Sequence, residues 1–240
     1  MAVVKWEKDG SVALCLMNNG QNLQNLEFAQ AMSRVLDEVV ADTEVTAMVL
    51  TSTDEKFFSN GVDVAWMGER LAAQDFQAVK DFCYGMNDVF KKLLLLPVPA
   101  IAAINGHAFG NGAILSCACD FRFMKSDRGF FCFPEVDLGI PFLPGMDAFV
   151  AKAVPAWKFN EMKLTGRRAA APELEEHHVI EKACDNAEHL REEVMAFART
   201  FHKKRGIFAE HKRRSHRHIL EIMDNEDPKV IEPLNLVVRE

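Results

Sequence analysis

Apolar and polar residues alternate along the first part of the chain, and the pattern then changes to helical spacing. Two alternating runs within residues 3–17 flank the turn Asp9-Gly10, which predicts a β-hairpin. Apolar residues three and four positions apart predict an amphipathic helix over residues 28–39. A second set of this kind covers residues 76–93 and predicts a longer helix, which Pro97 ends.

The middle of the chain contains short apolar runs of the kind that form buried strands. Residues 47–50 and 99–104 predict two such strands, and each precedes a loop that contains glycine. The loop after the first strand extends over residues 51–61. The same pattern predicts a short helix over residues 113–119 and further strands over residues 121–124 and 130–133.

Helical spacing dominates the chain after Pro144. The alternation of strands and helices before that point predicts an α/β fold. We expect a core that contains the functional site over residues 1–195 and a C-terminal helical segment over residues 196–240. That segment includes a run of basic residues, 211–218, which favours either a solvated helix face or a patch that binds phosphates.

The bulk composition restricts the class of protein. Hydrophobic residues make up 49% of the chain and charged residues 26%, which is typical of a soluble globular protein. The formal net charge of −7 argues against nucleic acid as a partner. The most apolar run, residues 93–104, contains two prolines and is shorter than the roughly 20 residues of a membrane span, so no membrane partner is expected.

The first residues lack a signal-peptide pattern, so we expect a cytoplasmic protein. The six cysteines show no paired metal-binding spacing, and the expectation is reduced thiols in the core. No set of histidines and acids has the spacing of a metal site, so no metal is predicted.

Two glycine-centred loops, residues 56–63 and 105–112, each follow a predicted buried strand. Glycine lets the backbone bend so that amide N–H groups face a ligand. The second loop leads directly into a helix, whose unpaired N–H groups and dipole favour an anion. Two such loops that converge would bind a negatively charged oxygen. Either loop alone is equally consistent with a structural turn.

A carboxylate in apolar surroundings is the third candidate feature. Glu135 lies in the segment FPEVDLGI, directly after a predicted strand. Apolar surroundings disfavour ionisation and hold a carboxyl group near neutral pKa, as a general acid or base requires. A solvated loop glutamate is the alternative interpretation.

The segments FFSNGVD, INGHAFGNG, CDFRF and FPEVDLGIPF, in this order and spacing, resemble the crotonase (enoyl-CoA hydratase/isomerase) superfamily. The similarity is greatest to the 3,2-enoyl-CoA isomerases. It implies a spiral of β-β-α turns with a C-terminal helical subdomain, and a homotrimer or dimer of trimers. It also implies an acyl-CoA thioester as substrate, so that coenzyme A is part of the substrate and no separate cofactor is needed.

The resemblance assigns roles to individual residues. The backbone amides of Val62 and Asn111 would hold the thioester oxygen, although the family more often has glycine at the second position. Glu135 would be the acid/base residue. The other glutamate of the family's hydratases falls on Ile114, which cannot transfer a proton. The predicted substrate-binding residues are Lys56, Asn60, Gly61, Trp66, Met67, Gly110 and Gly112.

A single glutamate favours an isomerase that moves a double bond from the 3- to the 2-position of an enoyl-CoA. The alternatives are a hydratase, or other enolate chemistry on a CoA thioester, and, in another class, a non-catalytic acyl-CoA-binding protein. The C-terminal segment would contribute to oligomerisation and to contacts with CoA. His107 is predicted to be a structural donor, Asp63 a helix cap, and Asp137 a cap or a surface residue.

Overall fold

The computed structural model describes residues 2–238. The strands are β1 (Val4–Asp9), β2 (Val12–Met17), β3 (Ala47–Ser52), β4 (Phe57–Ser59), β5 (Ala100–Ile104), β6 (His107–Phe109), β7 (Phe121–Lys125), β8 (Phe131–Cys132), β9 (Arg168–Ala169) and β10 (Lys182–Cys184). The helices are α1 (Leu26–Ala41), α2 (Val64–Ala72), α3 (Phe76–Leu95), α4 (Asn111–Ala118), α5 (Glu135–Leu138), α6 (Pro144–Ala153), α7 (Ala156–Thr165), α8 (Ala171–Glu176), α9 (Ala187–Ala198), α10 (Arg205–Asn225) and α11 (Asp227–Ile231).

Two sheets form the frame of the fold. The larger has the order β1-β2-β3-β5-β7-β10 and is parallel apart from the β1–β2 hairpin, which the sequence predicted. The smaller has the order β4-β6-β8-β9. Three times in succession the chain adds one strand to the larger sheet, one to the smaller sheet and then a helix. This repeat is the predicted spiral of β-β-α turns, and the α/β fold class is confirmed.

Helices cover both faces of the larger sheet, which explains why its strands are almost continuous apolar runs. All five residues of β5 are buried. One face packs into the main core with α1, α3 and α4, and the other packs against α9 through residues such as Leu190 and Val194. A strand covered on both faces has no polar side, so it lacks the alternation seen in the hairpin.

The sequence pattern missed several short elements. Residues 51–61, predicted as a loop, contain β4 together with the end of β3, and β6 lies inside the second glycine loop. Helix α2 was also missed. Three-residue strands are too short to show a period, and α2 has only nine residues, which is short for recognising helical spacing. Phe76 was assigned to the buried face of α3 but is 47% exposed, because it is the first residue of that helix.

The predicted boundary between residues 195 and 196 falls inside α9. The chain that follows packs on the core: α10 lies against α3 and α6, and its Lys212 is buried. Within residues 2–238, no helix combines the length and the apolar character that a membrane crossing needs. All six cysteines are buried and unbonded.

Candidate active site

The two glycine loops meet at Gly61 and Asn111. Gly61 has a φ of +80°, and a Cβ atom there would lie 2.7 Å from the Phe109 carbonyl oxygen and 3.2 Å from the Asn111 amide nitrogen. Any side chain would therefore separate the loops, and only glycine adopts this backbone angle without strain. The close approach brings the amide that follows Gly61 and the amide of Asn111 to the same place.

The amides of Val62 and Asn111 are both available to a ligand. Val62 forms a parallel bridge with Gln24, in which Gln24 N–H donates to Gly61 O and Asp63 N–H donates to Gln24 O, each at 2.8 Å. The N–H of Val62 itself points away from that partner, because successive peptide groups alternate in direction. Asn111 is the first residue of α4, where N–H groups have no partner within the helix. Throughout residues 2–238, neither amide donates to a protein acceptor.

Glu135 lies beside the second amide. It begins the short helix α5 after Pro134, and its Oε1 lies 3.1 Å from the position that a Cβ on Gly110 would occupy. Burial raises the pKa of this carboxyl group to about 7, against the weaker opposing effect of a hydrogen bond from its own backbone. Its Oε2 is buried and, over the described part of the chain, has no hydrogen-bond partner. A carboxylate with this pKa can both accept and donate a proton at neutral pH.

An apolar cavity of about 130 Å³ opens next to Glu135, Val62 and Asn111. Its walls come from α2, α3, α4, α6 and the segment before α6. Among the residues described, Glu135 is the only carboxylate in the lining. The Cys83 thiol also lines it, but burial raises its pKa to about 12, so it stays neutral. Ile114, 1% exposed, supplies a hydrocarbon wall in the place where a second carboxylate was considered.

A buried hydrogen-bond network joins the two loops. Asn111 Nδ2 donates to Gln24 Oε1 at 2.6 Å, and Gln24 Nε2 donates to Ser59 Oγ at 3.0 Å. Ser59 Oγ in turn donates to the Asn22 carbonyl at 2.8 Å. The Asn111 side chain thus ties α4 to the first loop while its backbone amide stays free. The sequence did not predict that the side chains of Gln24 and Ser59 are buried, because polar residues in loops give no signal of burial.

The structure distributes the predicted substrate-binding residues unevenly. Met67 lines the cavity, whereas Trp66 is not among its lining residues and packs its ring against Phe82, with ring centroids 5.6 Å apart. Lys56 places its ammonium group 4.9 Å from the centre of the Phe57 ring. Asn60 donates to the Gln21 side chain at 3.1 Å. The remaining glycines, Gly110 and Gly112, have backbone close to Glu135 and to Ser59, respectively.

Three polar residues near the loops, Asp63, His107 and Asp137, were predicted to have structural rather than catalytic roles. Asp63 is the N-cap of α2, as predicted: its carboxylate accepts from the Trp66 amide at 3.0 Å. The prediction that His107 is a structural donor is wrong: its Nδ1 is buried with no hydrogen-bond partner in the described part of the chain, its ring stacks on Phe109 at 5.3 Å, and burial lowers its pKa. Asp137 is exposed on α5.

The basic run 211–218 faces in two directions. The Lys212 ammonium is buried and donates to Asp120 at 2.8 Å and to the Leu93 carbonyl at 2.9 Å. Arg213 and Arg214 lie on the surface and pair with Glu210 one turn earlier on the same helix. One cation of the run is therefore a core residue, and two others belong to the solvated helix face that was one of the predicted interpretations.

A β-β-α spiral that presents two free amides beside a buried carboxylate is the arrangement that the crotonase resemblance implied. Comparison with known proteins identifies the same family. A sequence profile described as enoyl-CoA hydratase/isomerase matches residues 7–226. The chain is 31% identical over 205 residues to enoyl-CoA delta isomerase 3 of Arabidopsis thaliana, which covers 83% of this chain and 84% of that protein.

Two further matches show how broad the family is. The chain is 38% identical over 136 residues to the short-chain-enoyl-CoA hydratase of Clostridium acetobutylicum, a match that covers 56% of this chain and 50% of that protein. The crystal structure of an enoyl-CoA hydratase from Bacillus halodurans matches with a TM-score of 0.86 at 18% identity, over 96% of this chain and 94% of that one. The chain belongs to the enoyl-CoA hydratase/isomerase family, and its chemistry acts on CoA thioesters.

Proposed function

We propose that this protein is an isomerase that converts a 3-enoyl-CoA into the conjugated 2-enoyl-CoA. The observation that carries the proposal is the cavity lining: within the described residues it contains one carboxylate, Glu135, and the hydrocarbon side chain of Ile114. Moving a double bond needs a proton taken from one carbon and returned to another, and one group can do both. The similarity to an Arabidopsis isomerase along most of both chains supports the same choice.

In the proposed reaction, Glu135 removes a proton from the α-carbon of the thioester. The electron pair moves onto the thioester oxygen, giving a dienolate, and the N–H groups of Val62 and Asn111 stabilise the charge that develops there. Glu135 then returns the proton to the γ-carbon. One base suffices because both carbons lie on the same face of the extended dienolate.

The raised pKa of Glu135 suits this cycle. A carboxylate with a pKa near 4.5 would be a weak base toward the α-carbon, whereas a pKa of about 7 makes Glu135 a stronger base that is still half deprotonated at neutral pH. The apolar lining that raises the pKa also keeps water from the dienolate. The same carboxyl group therefore works in both directions without a second acid.

Two alternative functions fit this cavity lining less well. A hydratase would need a second group to position a water molecule and take a proton from it, and Ile114 cannot serve. A non-catalytic acyl-CoA-binding protein would have no use for a buried carboxylate at this point, and an unpartnered polar atom such as Glu135 Oε2 costs stability. Sites that keep such a cost are commonly catalytic.

The test is to give the purified protein a 3-enoyl-CoA and a 2-enoyl-CoA in separate reactions and to identify products by mass and absorbance. The proposal expects a product of unchanged mass with the absorbance of the conjugated thioester from the first substrate, and little gain of 18 mass units, the mass of one water molecule, from the second. Glu135→Gln keeps the shape of the side chain and is expected to lower turnover by ~100-fold or more while CoA-ester binding persists. Rapid 3-hydroxyacyl-CoA formation without isomerisation would show a hydratase instead, and an unchanged rate in a folded Glu135→Gln protein would remove Glu135 from the mechanism.

A further inference from the structure

A short segment after α11 closes one side of the cavity. Residues 235–238, here called the strap, begin at a hydrogen bond from Asn235 N–H to Val230 O at 2.9 Å. They end at a hydrogen bond from Val238 N–H to Gly139 O at 2.8 Å. Gly139 is the C-cap of α5, the helix that begins with Glu135. The strap therefore runs from α11 to the catalytic helix.

The chain on both sides of Leu236 is attached to helices that line the cavity, α5 through Val238 and α3 through Glu232. Just before the strap, Glu232 accepts hydrogen bonds from Lys80 at 2.8 Å and from the Tyr84 hydroxyl at 2.7 Å, both on α3. Between these attachments, Leu236 and Val237 line the cavity. Leu236 is partly buried against the main core, whereas Val237 is 52% exposed. Leu236 is thus the strap residue whose side chain takes up space that an acyl chain would need.

The size of the cavity limits the length of that chain. A cavity of about 150 Å³ lined by apolar side chains holds one benzene molecule, which has six carbons. The cavity beside Glu135 is about 130 Å³, and Val62 and Asn111 are among its lining residues. An acyl group of about six carbons uses this volume, and a longer chain meets the strap.

We propose that Leu236 sets the acyl-chain limit of this enzyme, at about six carbons, by closing the cavity with its side chain. The inference rests on the proposed function for its substrate, an acyl-CoA, but not on the isomerisation step. Removing the Leu236 side chain beyond Cβ would free space for about two more carbons, and a larger side chain would take space away. Residue 236 is then a specificity determinant located about a hundred residues from the catalytic glutamate in sequence.

The experiment is calorimetric titration with saturated butanoyl-, hexanoyl-, octanoyl- and decanoyl-CoA, which bind without turning over. Each methylene that enters the cavity should strengthen binding about fourfold, so two carbons add about 15-fold. The wild-type protein should gain about 15-fold from four to six carbons and less than about twofold from six to eight. Leu236→Ala should extend the gain to eight carbons, and Leu236→Trp should abolish the gain from four to six.

Val238→Ala is the matched control. It lies on the same strap, is 65% exposed and does not line this cavity, and the substitution keeps its N–H bond to Gly139. Its chain-length profile should equal that of the wild type. A wild-type gain that continues to ten carbons, or a Leu236→Ala profile equal to that of Val238→Ala, would overturn the inference.

The two proposals fail in different ways. If the chain-length limit moves as described but no 3-enoyl-CoA is isomerised, the inference stands and the proposed reaction is wrong. If isomerisation occurs and the limit does not follow residue 236, the reaction stands and the role of the strap is wrong. Absence of binding by every acyl-CoA would overturn both. Leu236→Ala and Leu236→Trp are expected to shift the chain-length limit in opposite directions. A general loosening of the fold would not do this, so the pair of variants identifies an effect of the cavity wall itself.

Discussion

At the scale of single residues, Glu135 owes its properties to its neighbours. The apolar cavity side chains and the close backbone of Gly110 remove water from the carboxylate, and this raises its pKa to about 7. The same closeness places the carboxyl group near the Asn111 amide, because Gly110 directly precedes Asn111. One contact between α5 and the second glycine loop therefore positions both the proposed base and the proposed anion site.

The raised pKa predicts how activity depends on pH. A general base works only when deprotonated, so kcat/KM for a 3-enoyl-CoA should rise with pH through a single step near 7 and then level off. Below the step the free enzyme carries a protonated Glu135. The measurement is initial rate at low substrate from pH 5 to 9, with far-UV circular dichroism at each pH as the control for folding. A rate that is flat across this range would assign the proton transfer to another group.

The Asn111 amide can be tested separately from the Asn111 side chain. Asn111→Pro removes the N–H donor at the first position of α4, where proline suits a helix, and should cost ~10²–10³ in turnover. Asn111→Gly keeps the N–H and should cost less than about tenfold. It also leaves Gln24 Oε1 without its donor, so its stability should fall by about 1–3 kcal/mol. Equal loss of turnover in the two folded variants would show that turnover depends on the Asn111 side chain and not on its backbone amide.

At the scale of elements, the position of α4 depends on its close approach to the first loop. Gly112, in the first turn of α4, has its Cα so near Ser59 that a Cβ would overlap the Ser59 carbonyl and lie 2.8 Å from the Ser59 Cβ. The two glycine loops, which are separate in the sequence, thus contact each other in the folded protein. Moving α4 outward by even a small amount would separate the Asn111 amide from Val62.

This contact predicts opposite effects of one substitution at two helical glycines. Gly112→Ala should destabilise the protein by about 1–3 kcal/mol, because the added methyl group overlaps backbone that cannot move alone. Gly68→Ala, in α2, has open space around the new methyl group and should stabilise by about 0.5–1 kcal/mol. Urea unfolding of both variants measures the difference. A Gly112→Ala protein as stable as the wild type would show that α4 does not need this approach.

At the scale of the whole molecule, α10 is held to the spiral by a buried ion pair. Lys212 donates to Asp120, which also accepts from the Ala100 amide at 2.8 Å. Asp120 lies between α4 and β7, so the pair connects the end of α4, the helix that begins at Asn111, with the C-terminal helices. The spiral and the C-terminal helices are expected to unfold together.

The prediction compares neighbouring cations on α10. Lys212→Ala leaves a largely buried Asp120 without its partner and should cost about 3–5 kcal/mol of unfolding free energy. Arg213→Ala removes an exposed residue whose ion-pair partner among residues 2–238 is Glu210 on the same helix, and it should leave the urea midpoint unchanged. Tryptophan fluorescence and circular dichroism should report one common transition in each protein. Two separate transitions in the wild type would show that the C-terminal helices form an independent unit.

The sequence by itself determined the α/β class, the hairpin, the long helices and the order of the site segments. These features depend on local patterns: turn residues such as Asp9-Gly10, apolar spacing in α1 and α3, and glycine at the sharp bends Gly61 and Gly110 of the two loops. The family resemblance added the predicted roles of Glu135, Val62 and Asn111, which composition and spacing do not give. Chain-length preference and oligomeric state have no local pattern of this kind.

Only the tertiary structure decided which residues share the cavity. Trp66 and Met67 are adjacent in sequence, yet one packs on Phe82 and the other faces the cavity. Leu236 enters the lining from the far end of the chain, because hydrogen bonds at Asn235 and Val238 draw the strap across. The tertiary structure also decides the pKa of Glu135. Desolvation depends on every atom that surrounds a group, and residues distant in sequence supply most of those atoms.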